Sequence, residues 1–237
     1  MAKLDQLAKG KKKEEPSKEI AKKEETAVAT NQLPYAVALL TEMKKNFVAA
    51  NAGLGLDFVY MGQWLVVNKK GNFVERDDDS VNYGDAIDVV IGMGEERFVL
   101  WGKQNTKEVG TLIIAEQTLE EAKAKFDELE HTLTPNEYDY SDIQSRYLAS
   151  VIPVETLKED TPKVYLLSFA QTAKIAYGKW ALGMYNGKYE KQGIPRGTSV
   201  PMVITTITTV EKKTDDFSYI TMEFDAKGLF DPADFNK

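Results

Sequence analysis

Apolar positions along the chain change period several times, and each change marks an element. Over residues 33–50 Val37, Leu40 and Phe47 recur at helical spacing among lysines and glutamates, with Pro34 near the start, which predicts an amphipathic helix. The runs then shorten to strand length. Residues 56–61 and 64–67 predict strands, 68–72 a polar turn carrying Gly71, and 87–91 and 97–101 two strands flanking a turn at 92–96. Short strands with tight turns predict antiparallel pairing. Thr118 followed by Glu121 is a capping-box pattern, and Leu119, Ala122, Phe126 and Leu129 supply the apolar stripe of a helix ending near His131.

Beyond a polar loop at 135–142, residues 147–154 and 164–169 predict strands separated by a turn containing Glu159, Asp160 and Pro162. A helix is predicted over 170–185, with Ala173, Ala176, Trp180 and Met184 on one stripe. Residues 199–210, rich in Val, Ile and Thr, a polar turn at 212–216 and residues 217–224 complete a β-hairpin. No internal repeat or heptad pattern runs through the chain. The fold class expected is α+β, mostly β, with two or three helices.

Residues 1–30 alternate Lys and Glu and contain no aromatic, so they are expected to form a disordered charged arm. One β-rich domain is expected over 31–230, and a short tail over 231–237. No stretch reaches the apolar length of a membrane span or a secretory signal, so a cytoplasmic protein without a membrane partner is expected. The chain has no cysteine and one histidine, His131. Disulfides, thiolate catalysis, iron–sulfur clusters and multi-histidine metal sites are thereby excluded, and His131 reads as a solvated residue.

Several motifs come close to a site and fall short. Gly183, Gly187 and Lys188 imitate a phosphate-cradling loop, but the spacing is one residue short, Tyr189 stands where a hydroxyl ligand for magnesium is needed, and a helix precedes. Gly92 and Gly94 fit a hairpin turn better than a dinucleotide loop. Asp77, Asp78 and Asp79 lack calcium-loop spacing and read as a solvated acidic loop. No catalytic residue, metal or cofactor is expected, and the chain reads as a non-enzyme.

Net charge, −7 overall, is distributed unevenly. Residues 31–160 carry 12 basic and 23 acidic side chains, whereas residues 161–200 carry 6 basic ones against Glu190 alone. That positive segment also holds Tyr165, Phe169, Tyr177, Trp180, Tyr185 and Tyr189. Single-stranded nucleic acid needs both features, since its bases stack on planar side chains and its phosphates follow a positive track. The candidate binding residues are Lys174, Tyr177, Lys179, Trp180, Tyr185, Lys188, Tyr189, Lys191 and Arg196. Phe169 and Trp180 also read as core residues that hold the helix to the sheet, and the lysines as a solvated helix surface.

The order of a strand at 164–169, an aromatic and Lys-rich helix, the segment Gly-Thr-Ser-Val-Pro-Met-Val-Ile-Thr-Thr-Ile from Gly197 to Ile207, and a strand at 217–224 resembles the C-terminal part of phage-encoded single-stranded-DNA-binding proteins. That resemblance implies an elaborated OB-like antiparallel β-barrel and a function in protecting exposed strands during phage DNA replication or recombination. It implies single-stranded DNA as partner, replication or recombination proteins as further partners, and a homo-oligomer as one available state. Many such proteins end in an acidic tail tipped by an aromatic; here the end is Asp-Pro-Ala-Asp-Phe-Asn-Lys, a weak version. The alternative expectation is a structural or adaptor protein, such as a virion component, without nucleic-acid affinity.

Overall fold

Alternation of apolar side chains on both faces of three central strands sets the architecture. The computed structural model describes residues 58–159, 162–214 and 217–231. The expected arm at 1–30, the helix expected at 33–50 and the tail beyond Asp231 lie outside these. The strands are β1 (Trp64–Val67), β2 (Phe73–Glu75), β3 (Asp78–Gly84), β4 (Ala86–Trp101), β5 (Leu112–Glu116), β6 (Gln144–Pro153), β7 (Tyr165–Phe169), β8 (Val203–Lys213) and β9 (Ser218–Leu229). The helices are α1 (Phe58–Met61), α2 (Leu119–Leu129) and α3 (Gln171–Tyr185), with short 3-10 turns between elements.

All nine strands join one sheet in the order β3-β2-β1-β7-β6-β4-β8-β9, with β5 also paired to β4. Neighbours are antiparallel except β1 and β7, which run parallel through Trp64 opposite Leu166 and Leu65 opposite Leu167. The sheet is therefore mixed, where uniformly antiparallel pairing was expected. It curls into a half-barrel. Thr209 Oγ1 of β8, near one end of the strand order, donates at 2.6 Å to the carbonyl of Gly71, in the turn between β1 and β2 at the other end.

Successive residues of β6 and β7 feed opposite faces. Ala149, Val151, Tyr165, Leu167 and Phe169 enter the core beneath α3, together with Ala173, Trp180 and Met184 of that helix. Leu148 and Leu166 pack on the other face with Trp64, Val99 and Leu112, and α2 covers Leu100 and Ile114 through Ala122 and Phe126. Strands buried on both faces read as continuous apolar runs, which is why these two were visible in the sequence. The capping box of α2 is formed as the spacing predicts: Glu121 N–H donates to Thr118 Oγ1 at 3.2 Å, and Thr118 N–H donates to Glu121 Oε2 at 3.0 Å. His131 is exposed in the 3-10 turn that follows.

Three expectations are corrected. Residues 58–61 form one helical turn, since a run of that length has too few positions to separate periods. Residues 78–84, read in part as an acidic loop, form edge strand β3: Arg76 Nε donates to Asp77 at 3.1 Å, Asp78 accepts the Ser80 N–H at 3.0 Å, and exposed charge suits an edge. Residues 92–96 are no hairpin turn. β4 runs 16 residues without reversal because β6 pairs along its middle, from Val89 opposite Pro153 to Val99 opposite Gln144, while β8 and β5 pair with its two ends. The glycines mark a register shift between Ile91 and Gly94 instead. β5 went unmarked in the sequence although its pattern, Leu-Ile-Ile-Ala, is apolar.

Gly94 has a further reason to be glycine. A Cβ there would lie 2.4–2.5 Å from the Tyr147 ring. That ring is held from moving by stacks on Phe169 at 5.9 Å and on Tyr177 at 5.2 Å. Gly94→Ala is therefore expected to destabilise the fold by about 1–3 kcal/mol through overpacking, measured as a lowered urea midpoint; an unchanged midpoint would show that the Tyr147 ring is free to yield.

Candidate nucleic-acid interface

The nine candidate residues all lie on α3 or on the turns after it, and the helix sorts them by face. α3 is 15 residues long and apolar on more than one side. Ala173, Trp180 and Met184 point into the concave face of the sheet. Trp180 is 3% exposed, so its ring offers no free face for stacking, and its Nε1 is buried without a hydrogen-bond partner. Tyr177 packs among Tyr147, Phe169, Trp180 and Phe224 at centroid distances of 5.2, 5.4, 5.7 and 5.5 Å. Burial foremost, with Tyr147 beside it, raises the Tyr177 hydroxyl well above the ordinary tyrosine value of 10.0. Trp180 and Tyr177 thus serve the core.

Tyr189, expected as a stacking residue, is 3% exposed and belongs to the same core. Its Gly- and Lys-rich surroundings suggested an open loop, but the chain turns back tightly after α3, with Lys188 N–H on the Gly183 carbonyl at 2.9 Å and Ile194 N–H on the Tyr189 carbonyl at 3.2 Å. Tyr185, at the last residue of the helix, is 64% exposed. Lys174 leans toward β4 and β6, where its Nζ meets Glu96 Oε1 at 2.8 Å and Ser145 Oγ at 3.3 Å. Its charge is matched. Lys191 and Arg196 are exposed in the turns beyond the helix.

What the fold does assemble is a cleft of about 440 Å³ between α3 and β9. Lys179 and Ile175 border it from the helix, Lys188 and Tyr189 from the following turn, and Tyr219, Glu223 and Phe224 from β9, with Lys212 of β8 beside them. Lys188 Nζ sits 5.0 Å over the Tyr189 ring, a cation–π contact that keeps the ammonium at the mouth. Lys212 pairs with Glu223 at 3.1 Å. Lys179 and Lys188 are exposed and have no carboxylate partner among the described residues.

Comparison with protein-family models, curated proteins and solved structures finds no match to this chain. The site must be read from its own geometry. Among the described residues no three acidic or histidine side chains are grouped to hold a metal ion, and no helix is long and apolar enough to cross a membrane.

The cleft continues past Tyr219 and Thr172 into a shallow recess lined by Phe217, Gln171 and Arg146. Phe217 is 62% exposed, and its ring lies 5.8 Å from that of Tyr219. Tyr219, Phe217 and Lys212 escaped the sequence reading because they belong to a hairpin outside the positive segment. Their only local signal was two aromatics two residues apart at the hairpin's turn, a spacing that puts both on one side of an extended strand.

The buried tyrosines make a test of this arrangement. Tyr165 donates to Glu75 at 3.0 Å and lies 3.1 Å from the Tyr83 hydroxyl; burial first, then these partners, raises it far above 10.0, in the same direction as Tyr177. A raised folded value means stability that is complete below the unfolded value near 10.0 and lost as pH rises past it. Stability should therefore hold up to about pH 10 and fall above it, with tyrosinate absorbance for these residues appearing only together with unfolding. Titration of all tyrosines before loss of near-ultraviolet circular dichroism would contradict the burial of Tyr165 and the packing of the half-buried Tyr177 among the rings.

Proposed function

We propose that this protein binds single-stranded DNA along the cleft between α3 and β9, as a non-enzymatic protein of OB-like architecture that protects strands during replication or recombination. The observation that supports it most is the pairing, along one groove, of Lys179 and Lys188, cations without carboxylate partners among the described residues, with the exposed ring of Phe217 and the half-buried ring of Tyr219. Bases stack on the rings and phosphates follow the lysines. The curled, barrel-like sheet is the coarse feature that an OB-type barrel shares. The resemblance of the segment from residue 164 onward to phage single-stranded-DNA-binding proteins supports the same reading.

One observation favours a second reading. The outward side of α3 carries Ile175, Leu182 and Tyr185 at 48, 59 and 64% exposure, spaced seven and three residues apart and so aligned along the helix. Such a stripe suits an adaptor or structural protein that docks another chain. Concentration-dependent association that Leu182→Glu abolishes, without affinity for any oligonucleotide, would favour that reading.

For the leading reading, oligo-dT is expected to bind and the affinity to fall with salt. Replacing Lys179 and Lys188 together by Gln should reduce the slope of log affinity against log salt by about 1.4, the contribution of two phosphate contacts on a single strand. Tyr219→Ala should weaken binding by about 1–3 kcal/mol, as for one lost stacked base. Failure of the wild-type protein to bind any oligonucleotide at low salt would overturn the proposal.

A further inference from the structure

Where the two ends of the curled sheet come together, at the start of α3, the chain leaves a pocket of about 280 Å³, distinct from the cleft. Its walls are apolar: Trp64, Trp101, Leu167 and Met222 line it. Trp101 stands edge-on to the buried Trp64, with ring centroids 4.9 Å apart and planes at 82°. Two polar groups on the wall stand out.

Arg146, on β6, is partly buried, donates to Gln144 Oε1 at 2.6 Å, and faces no carboxylate within ion-pairing distance among the described residues. Burial pulls its pKa down, with no neighbouring charge opposing the effect. An arginine keeps its proton even so, and a desolvated cation without a counter-ion is costly unless an anion completes it. Ser168, on β7, lies in the wall of the same pocket, and its hydroxyl oxygen is buried, with no hydrogen-bond partner. Ala170, beside Arg146, is the N-cap of α3. It supplies no side-chain cap, and no acid occupies the first turn, so backbone N–H groups of the helix remain open to an anion there.

We infer that this pocket receives one unpaired base of a bound single strand, with the adjoining phosphate on Arg146 and the N-terminus of α3. The inference rests on the proposed binding of single-stranded DNA and names a subsite for it. Three features favour a nucleotide over other anions. A volume just under that of drug-sized ligand sites suits a single planar ring system. The indole of Trp101 supplies an aromatic wall for it. Arg146 and Ala170 also line the recess that holds Phe217 and Tyr219, so the path of the strand leads from the cleft to this pocket without a gap.

A base seated there has left its duplex partner. The pocket therefore discriminates against double-stranded DNA by shape, independently of the lysines along the cleft. The wall is mostly apolar and offers few groups that would tell one base from another, so this discrimination comes with tolerance of sequence.

The test is a fluorescence titration of wild-type, Trp101→Phe and Arg146→Gln proteins with oligo-dT and with an abasic strand of the same length. Oligo-dT should quench the wild-type protein and the abasic strand should not. Trp101→Phe should bind oligo-dT with most of that quenching gone. Arg146→Gln should bind about tenfold more weakly, as expected for loss of a charge-assisted phosphate contact, with an unliganded melting temperature no lower than wild type because the guanidinium it removes is uncompensated. If replacing Arg146 disturbs folding, the Trp101→Phe signal decides alone. Undiminished quenching in Trp101→Phe, or unaltered affinity in a folded Arg146→Gln, with wild-type binding intact, would overturn the pocket assignment and leave the cleft reading standing. Absence of oligonucleotide binding by the wild type would overturn both. Saturable quenching by a medium-chain carboxylate that oligo-dT does not displace would also overturn it, assigning the pocket to an amphipathic acid.

Discussion

The concave face of the sheet has to be filled, and the cluster of rings beneath α3 fills it. Tyr147 of β6, Phe169 of β7, Tyr177 and Trp180 of α3 and Phe224 of β9 meet at centroid separations of 5.1–6.2 Å. They come from three strands of the sheet and from the helix laid across them, so the cluster ties the position of α3 to the bend of the sheet. Aromatic pairs at such distances add about 0.5–1.5 kcal/mol each beyond their burial. Gly94 is the concession β4 makes to them, since a side chain there would occupy the space of the Tyr147 ring.

Filling the curl with α3 also determines what the helix can present outward. With Tyr177 and Trp180 committed to the core, the basic positions on its flanks part company: Lys174 is drawn to Glu96 on one side, while Lys179 is left at the cleft on the other. The hairpin of β8 and β9 brings Lys212 and Tyr219 to the same cleft. The groove thus exists because two elements far apart in the chain are pressed together by the rings between them. Thr172 and Thr221, joined by hydroxyls 2.8 Å apart, mark that junction.

Much of this was legible in the chain. Elements with one strong local signal, such as the capping box of α2, the stripe of α3 and the β-branched run of β8, stand where the pattern places them. The expected turn at 92–96 is different, because glycine signals a break in direction and a bend equally well, and only the partner strand β6 decides between them. The parallel pairing of β1 with β7 spans about a hundred residues of sequence, a relation that no local pattern carries. For the candidate site, charge segregation pointed to α3, the helix that borders the cleft. It did not separate Tyr189, pulled into the core by a tight turn, from Tyr219, which the hairpin leaves accessible.

The closure between the ends of the sheet differs in kind from the joints within it. Inside the sheet, neighbouring strands share ladders in which each hydrogen bond is backed by the next, and β8 with β9 pairs over eleven positions. At the seam, the contact is a threonine hydroxyl on the Gly71 carbonyl, with the Gly71 backbone close against Thr209 and Ile220. Side-chain contacts of this sort break singly and re-form without unzipping a ladder. The half-barrel is accordingly closed by two different means: ladders hold each strand to its neighbour, while the seam is tied by side chains, and the width between its ends follows from the rings packed beneath α3.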